Sequence, residues 1–228
     1  MAPLGVNVID KVGDKWKAGY DNEKGREGLK YYIDAVYKYK VDSLDFKSDS
    51  EAFGLGLTAM FQREAWVVGY MYTSAPKINF GVFQMPKGPD GTWATIGNTM
   101  GLSIPSASKN KAEAFKFGVF VCDDEMSKLM FGTSGWQPWR TNIDYSELYA
   151  KRPQLKPFMD AVGLPDLKMY DYENIPPIYE IHNRLADRLI AAFKRSELLD
   201  NPDGIAQVLS DAAKETNKIL EREGLLAK

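Results

Sequence analysis

Apolar positions mark out most of the chain's elements before any composition is counted. Leu29, Tyr32, Ile33, Val36 and Tyr37 fall at i, i+3, i+4, i+7 and i+8, which predicts an amphipathic helix over about residues 25–39. A short helical stretch is expected near Ser50–Leu55. It leads into LTAMFQ, which reads as a buried strand, and then into EAWVVGYMYTSA, an aromatic-rich packed helix. INFGVFQMP alternates as a strand does and ends on the turn PKGPDG, after which TWATIG and MGLSIP read as two further short strands. Ser108 or Asn110 is placed to cap the next helix. Asn110 and Glu113 have capping-box spacing, and Phe115, Gly118, Val119 and Cys122 share a face, which makes Cys122 an expected core residue. GTSGWQPWRTNI has no period and reads as a loop whose large aromatics need a core or a ligand to cover them. Two long helices close the chain. Ile178, Ile181, Leu185 and Leu189 form the stripe of the first. The second opens on Asn201-Pro202 and buries Ile205, Val208, Leu209, Ala212, Ile219 and Leu220. The fold class expected is α/β, helix-rich, with a small sheet.

Composition then narrows the function classes. With 228 residues, 44% of them hydrophobic and 12% aromatic, the chain can bury a core as one large domain or two small ones. A net charge of -2, from 29 basic and 31 acidic residues, supplies no basic field for nucleic acid or an anionic membrane. No apolar run approaches the roughly 18 residues of a membrane span, and MAPLGVNVIDKVGDKW lacks the basic and apolar regions of an export signal. The lone Cys122 forms no internal disulfide and says nothing of compartment.

Candidate chemistry argues for binding rather than turnover. Cys122 and His182 are the only residues of their types, so a Cys/His nucleophile pair would need these two to meet. A metal site would rest on carboxylates, and Asp123-Asp124-Glu125 reads as solvated charge at a helix end. Gly54-Leu55-Gly56 is not completed to a dinucleotide fingerprint, and no phosphate loop is present. No motif nominates the opposed carboxylates of a glycosidase. The sequence therefore implies neither an enzyme nor a cofactor.

The order of motifs is more specific than any one of them. Leu57–Met60 with Trp66, Gly81–Gly88 in a strand and turn, and Gly97–Phe115 ending in SKNKAEAFKF resemble the extracellular solute-binding family of ABC sugar importers. SGWQPWR and ENIPPIYEIHNRLADRL continue the likeness toward maltose-binding proteins, so it covers nearly the whole chain. The register before Ala59 departs from the family pattern.

The resemblance implies a type II periplasmic-binding-protein fold that lacks the N-terminal part of the first lobe. Residues 1–104 and 161–228 would belong to the second lobe, and 105–160 would be helices returning to the first. It further implies a sugar or related polyol ligand, ABC transporter membrane subunits as partners, and a periplasmic or lipoprotein location. If the first lobe is missing, a homodimer through the orphaned surface is an alternative, with the chain as a non-transporting remnant.

Sugars stack their C–H faces on aromatic rings and pair their hydroxyls with polar groups. On that chemistry and the resemblance, the candidate ligand-binding residues are Trp66, Asn98, Trp136, Arg140, Tyr179 and His182. Each has a plainer role open to it. Trp66 can be core, Asn98 a turn residue, the SGWQPWR side chains loop anchors, and His182 a core histidine on the Ile178/Leu185 face. Trp139 is read as structural.

Overall fold

The computed structural model describes residues 4–46, 48–97, 101–138, 140, 142–170 and 173–227. The chain divides into two compact units, one made of residues 1–45, 85–98 and 168–228, the other of residues 46–84 and 99–167.

The first unit begins with a hairpin that the apolar pattern did not mark. β1 (Ile9–Val12) and β2 (Lys15–Ala18) pair antiparallel, with Val12 opposite Lys15, so Gly13 and Asp14 alone make the turn. Gly13 takes φ +64°, as such tight hairpin turns require. α1 (Glu23–Ile33) is capped by Asn22, whose side chain accepts from the Gly25 amide, and it ends in a π turn over Asp34–Lys38. β3 (Ala94–Ile96) and β4 (Lys168–Tyr170) form a parallel pair.

α8 (Ile178–Phe193) and α9 (Pro202–Arg222) complete this unit, and both were legible in the sequence. Asn201 caps α9 by accepting from the Gly204 amide at 2.9 Å. Tyr20, Leu29, Ile33, Leu185, Leu198 and Leu209 form the main core, with Ile9, Ile178, Ile181, Ile219 and Leu220 in a second cluster. The buried Tyr20 hydroxyl pairs with Thr216 Oγ1 at 2.8 Å, and burial pushes the phenol pKa up to about 12.

The second unit holds α2 (Asp49–Gly54), α3 (Trp66–Ser74), α4 (Lys111–Val121), α5 (Asp124–Ser134), α6 (Ser146–Lys151) and α7 (Lys156–Val162). Val68, Phe131, Tyr145 and Leu155 are its buried centre, with the Phe131 and Tyr145 rings edge to face at 5.5 Å. No helix among the described residues is long and apolar enough to cross a membrane.

Three expected strands are not formed. LTAMFQ is irregular, and its Leu57 and Met60 are exposed, because no neighbouring segment offers it a ladder. INFGVFQMP keeps the expected alternation, with Ile78, Phe80, Val82 and Gln84 turned inward, but makes no backbone ladder. The Gln154 side chain donates to the Phe80 carbonyl at 3.1 Å instead. The described part of MGLSIP, residues 101–105, is exposed and irregular.

α4 forms as expected, with Asn110 at its N-cap position, yet the Asn110 side chain accepts no capping bond, so the capping box is absent. None of its residues is buried. Phe115 and Val119 face solvent and Cys122 is only half-buried, which corrects the reading of this face as core.

Candidate ligand-binding site

α3 is an apolar helix whose Val67, Val68 and Met71 are buried, so packing rather than β-branched propensity holds it. It lies against α5 through two glycines. A Cβ on Gly69 would come within 2.4 Å of the Thr133 carbonyl oxygen. One on Gly135 would come within 2.1 Å of the Ala65 oxygen and 3.0 Å of the Trp66 Cα. Gly135 also ends α5 in the left-handed conformation, φ +77°, donating its amide to Phe131. Only glycine satisfies both demands. The result sets the start of α3, with Trp66, beside the loop that begins at Trp136.

Trp66 is half-buried. Its indole N–H donates to Glu64 Oε2 at 3.0 Å, the Arg63 guanidinium stands 5.5 Å from its ring centroid, and Tyr70 meets it edge to face. Arg63 is in turn held by Asp49 at 2.8 Å. A cation and a carboxylate thus flank an aromatic ring, the mixture of polar and stacking groups that a polyol needs. Trp136 is 44% exposed and its amide donates to Ser134 Oγ at 3.3 Å. The sequence reading missed Arg63, Glu64 and the two glycines. The adjacent Arg63-Glu64 pair just before Trp66 was the available signal.

Arg140, only four residues after Trp136, is ion-paired with Asp124 in the first turn of α5. Arg140 also borders an open hollow of about 560 Å³ with Val119, Cys122, Asp123, Asp124 and Glu125. Nearby, burial pushes the Tyr145 phenol up to about 12, and its hydroxyl donates to the Arg140 carbonyl at 3.2 Å.

Tyr179 and His182 belong to the first unit, in the opening turns of α8, one helical turn apart on one side. Tyr179 is 72% exposed. His182 is half-buried, and the loss of solvation holds its imidazole below the ordinary histidine range, which favours the neutral ring with one donor and one acceptor. Asn98 and Trp139 lie outside the described residues.

A family model for the bacterial extracellular solute-binding protein matches residues 1–127. A binding protein of Brucella abortus (strain 2308) is 24% identical over 227 residues, covering 97% of this chain and 52% of that protein. Among solved structures, Mycobacterium tuberculosis UgpB in complex with glycerophosphocholine superposes with a TM-score of 0.77 at 18% identity, covering 97% of this chain and 54% of that one. A Thermotoga lettingae ABC transporter solute-binding protein bound to α-D-tagatose gives 0.72 at 20% identity, with 96% and 54% covered. Maltose-bound MalE3 of T. maritima gives 0.71 at 20%, with 92% and 55% covered. The chain spans about half the length of the relatives it matches. Its fold is the helix-rich α/β fold of periplasmic solute-binding proteins. On the motif order from Leu57 to Phe115 and the match over more than half its length, the chain belongs to the bacterial extracellular solute-binding protein family.

Proposed function

We propose that the chain is the ligand-holding portion of the solute-binding component of an ABC importer, that it takes a sugar or oligosaccharide outside the cytoplasmic membrane, and that it performs no catalysis. The observation that carries this reading is the placing of Trp66 beside the Trp136 loop by Gly69 and Gly135, with Arg63 and Glu64 supplying polar edges. Indole faces stack on sugar C–H surfaces while the flanking charges pair with hydroxyls. The maltose- and tagatose-bound neighbours support a sugar as the ligand class. In this reading Arg140 contributes a further polar contact, and residues 105–160 belong to the first lobe of a two-lobed binding protein.

A ligand held from one side buries only part of its surface, so the affinity of this chain by itself is expected to be weak. Titration calorimetry with maltose, tagatose and glycerophosphocholine tests the proposal. The expected result is sugar binding in the millimolar range that Trp136→Ala removes, and no turnover of any glycoside. Binding of glycerophosphocholine alone would replace sugar by a phosphodiester. Micromolar affinity that survives both Trp66→Ala and Trp136→Ala would overturn the site.

A further inference from the structure

The link between α6 and α7 reaches each element that frames Trp66 and the Trp136 loop, all of them within the second unit. Leu155 anchors it, fully buried at the centre of that unit. From the same link the Gln154 side chain accepts from the Tyr72 hydroxyl of α3 at 2.9 Å and donates to the Phe80 carbonyl. The Phe158 carbonyl, in the opening turn of α7, accepts from the Gln137 side chain of the Trp136 loop at 2.6 Å.

Arg152, the residue that ends α6, ties α3 to α5. It is half-buried, its guanidinium stands 4.4 Å from the Tyr72 ring centroid, and it donates to the Gly132 carbonyl in the last turn of α5. A helix end leaves such carbonyls without an N–H. Had α5 continued, the Trp136 amide would reach this one, but that amide donates to Ser134 Oγ instead. A cation here also meets the negative end of the helix dipole. Gly69 and Gly135 let α3 and α5 approach, yet a glycine has no side chain with which to hold them together. A planar guanidinium can cover a ring face and still point an edge N–H at a carbonyl, which a compact ammonium cannot. From these contacts we propose that Arg152 is a positioning residue for the ligand site, fixing Trp66 beside the Trp136 loop through Tyr72 and Gly132. The assignment rests on the reading of these two tryptophans as ligand platforms.

The test follows the nitrogen-15 indole signals of Trp66 and Trp136 in the ligand-free protein, and then titrates maltose. Arg152→Met keeps most of the stem but loses both the ring contact and the helix cap, while Tyr72→Leu removes the ring from the other side. Each should displace both indole signals. Sugar affinity should fall roughly tenfold, because stacking contacts weaken steeply when a platform shifts by about an ångström. Ala161→Gly, at a buried position of α7 outside the tie, is the control. It should lower the melting temperature while leaving the two signals and the affinity unchanged, which separates positioning from stability. Far-ultraviolet circular dichroism shows which variants fold, and Tyr72→Leu carries the test if Arg152→Met does not. Indole signals that stay in place in either folded variant would overturn the assignment. So would an equal displacement in Ala161→Gly, or displaced signals with undiminished affinity. Displaced signals in a protein whose unmodified form binds no sugar would sink the sugar reading and leave the positioning of the two tryptophans standing. Sugar binding to the unmodified chain and to Arg152→Met alike, with both signals in place, would do the reverse.

Discussion

Gly135→Ala is expected to pry α3 from α5 and to cost about 3 kcal/mol or more of stability. The added methyl meets the Ala65 oxygen at 2.1 Å, and the φ of +77° is itself unfavourable for alanine. The seam has no slack to absorb it, since Gly69 makes a similarly close approach to Thr133 and Ser134 one helical turn into α3. Gly56→Ala is the control. It shares the positive φ, +72°, but its Cβ would meet nothing within 4 Å, so only the backbone strain of about 1–2 kcal/mol is expected. Urea denaturation of the two variants separates close approach from strain. Equal losses would mean that the α3–α5 contact does not set the position of Trp136. The near-ultraviolet circular dichroism of Trp66 and Trp136 should change in the first variant and hold in the second.

Leu209→Ala should be about as severe in the first unit. Leu209 is fully buried among Tyr20, Leu29, Ile33 and Leu185, so truncation leaves a cavity in the main core and costs about 2–5 kcal/mol. Leu129→Ala, on the exposed surface of α5, should stay within about 0.5 kcal/mol. Thermal unfolding distinguishes these outcomes, and a Leu209 variant as stable as the Leu129 variant would contradict the assignment of the core.

Local pattern carried α8 and α9 from sequence to structure, because their stripes at Ile178, Ile181 and Leu185 and at Ile205, Leu209 and Ala212 bury as read and the Asn201 cap forms. The hairpin of β1 and β2 was readable too, as two four-residue strands around Gly13-Asp14, but charged lysines in both strands obscured its alternation. LTAMFQ and INFGVFQMP show the limit of the method. A strand exists only with a partner, and apolar content cannot say whether one arrives. α4 shows a second limit, since sequence fixes its helicity but its burial depends on what surrounds it.

Part of the site was legible in the same way. Trp66 and Trp136 stood out as aromatics beside a helix start and in a Gly/Pro-rich loop. That the start of α3 lies beside the Trp136 loop depends on Gly69, close to Thr133 and Ser134, and on Gly135, close to Ala65 and Trp66. The bond from Trp66 to Glu64 depends on a side-chain geometry that no spacing encodes. The ion pair of Arg140 with Asp124 joins residues 16 positions apart, which no local pattern announces.

The indole N–H signals of the protein, enriched in nitrogen-15, test the central claim most directly. The chain has 5 tryptophans, and Trp66→Phe and Trp136→Phe assign the two signals of interest. On titration with maltose or tagatose to saturation, the Trp66 and Trp136 signals should shift together along one binding curve. That of Trp93, whose N–H donates to the Met85 carbonyl at 2.6 Å in the first unit, should stay in place. Shifts confined to Trp93 or Trp16, or no indole shift with any sugar, would contradict the placing of the ligand against Trp66 and the Trp136 loop.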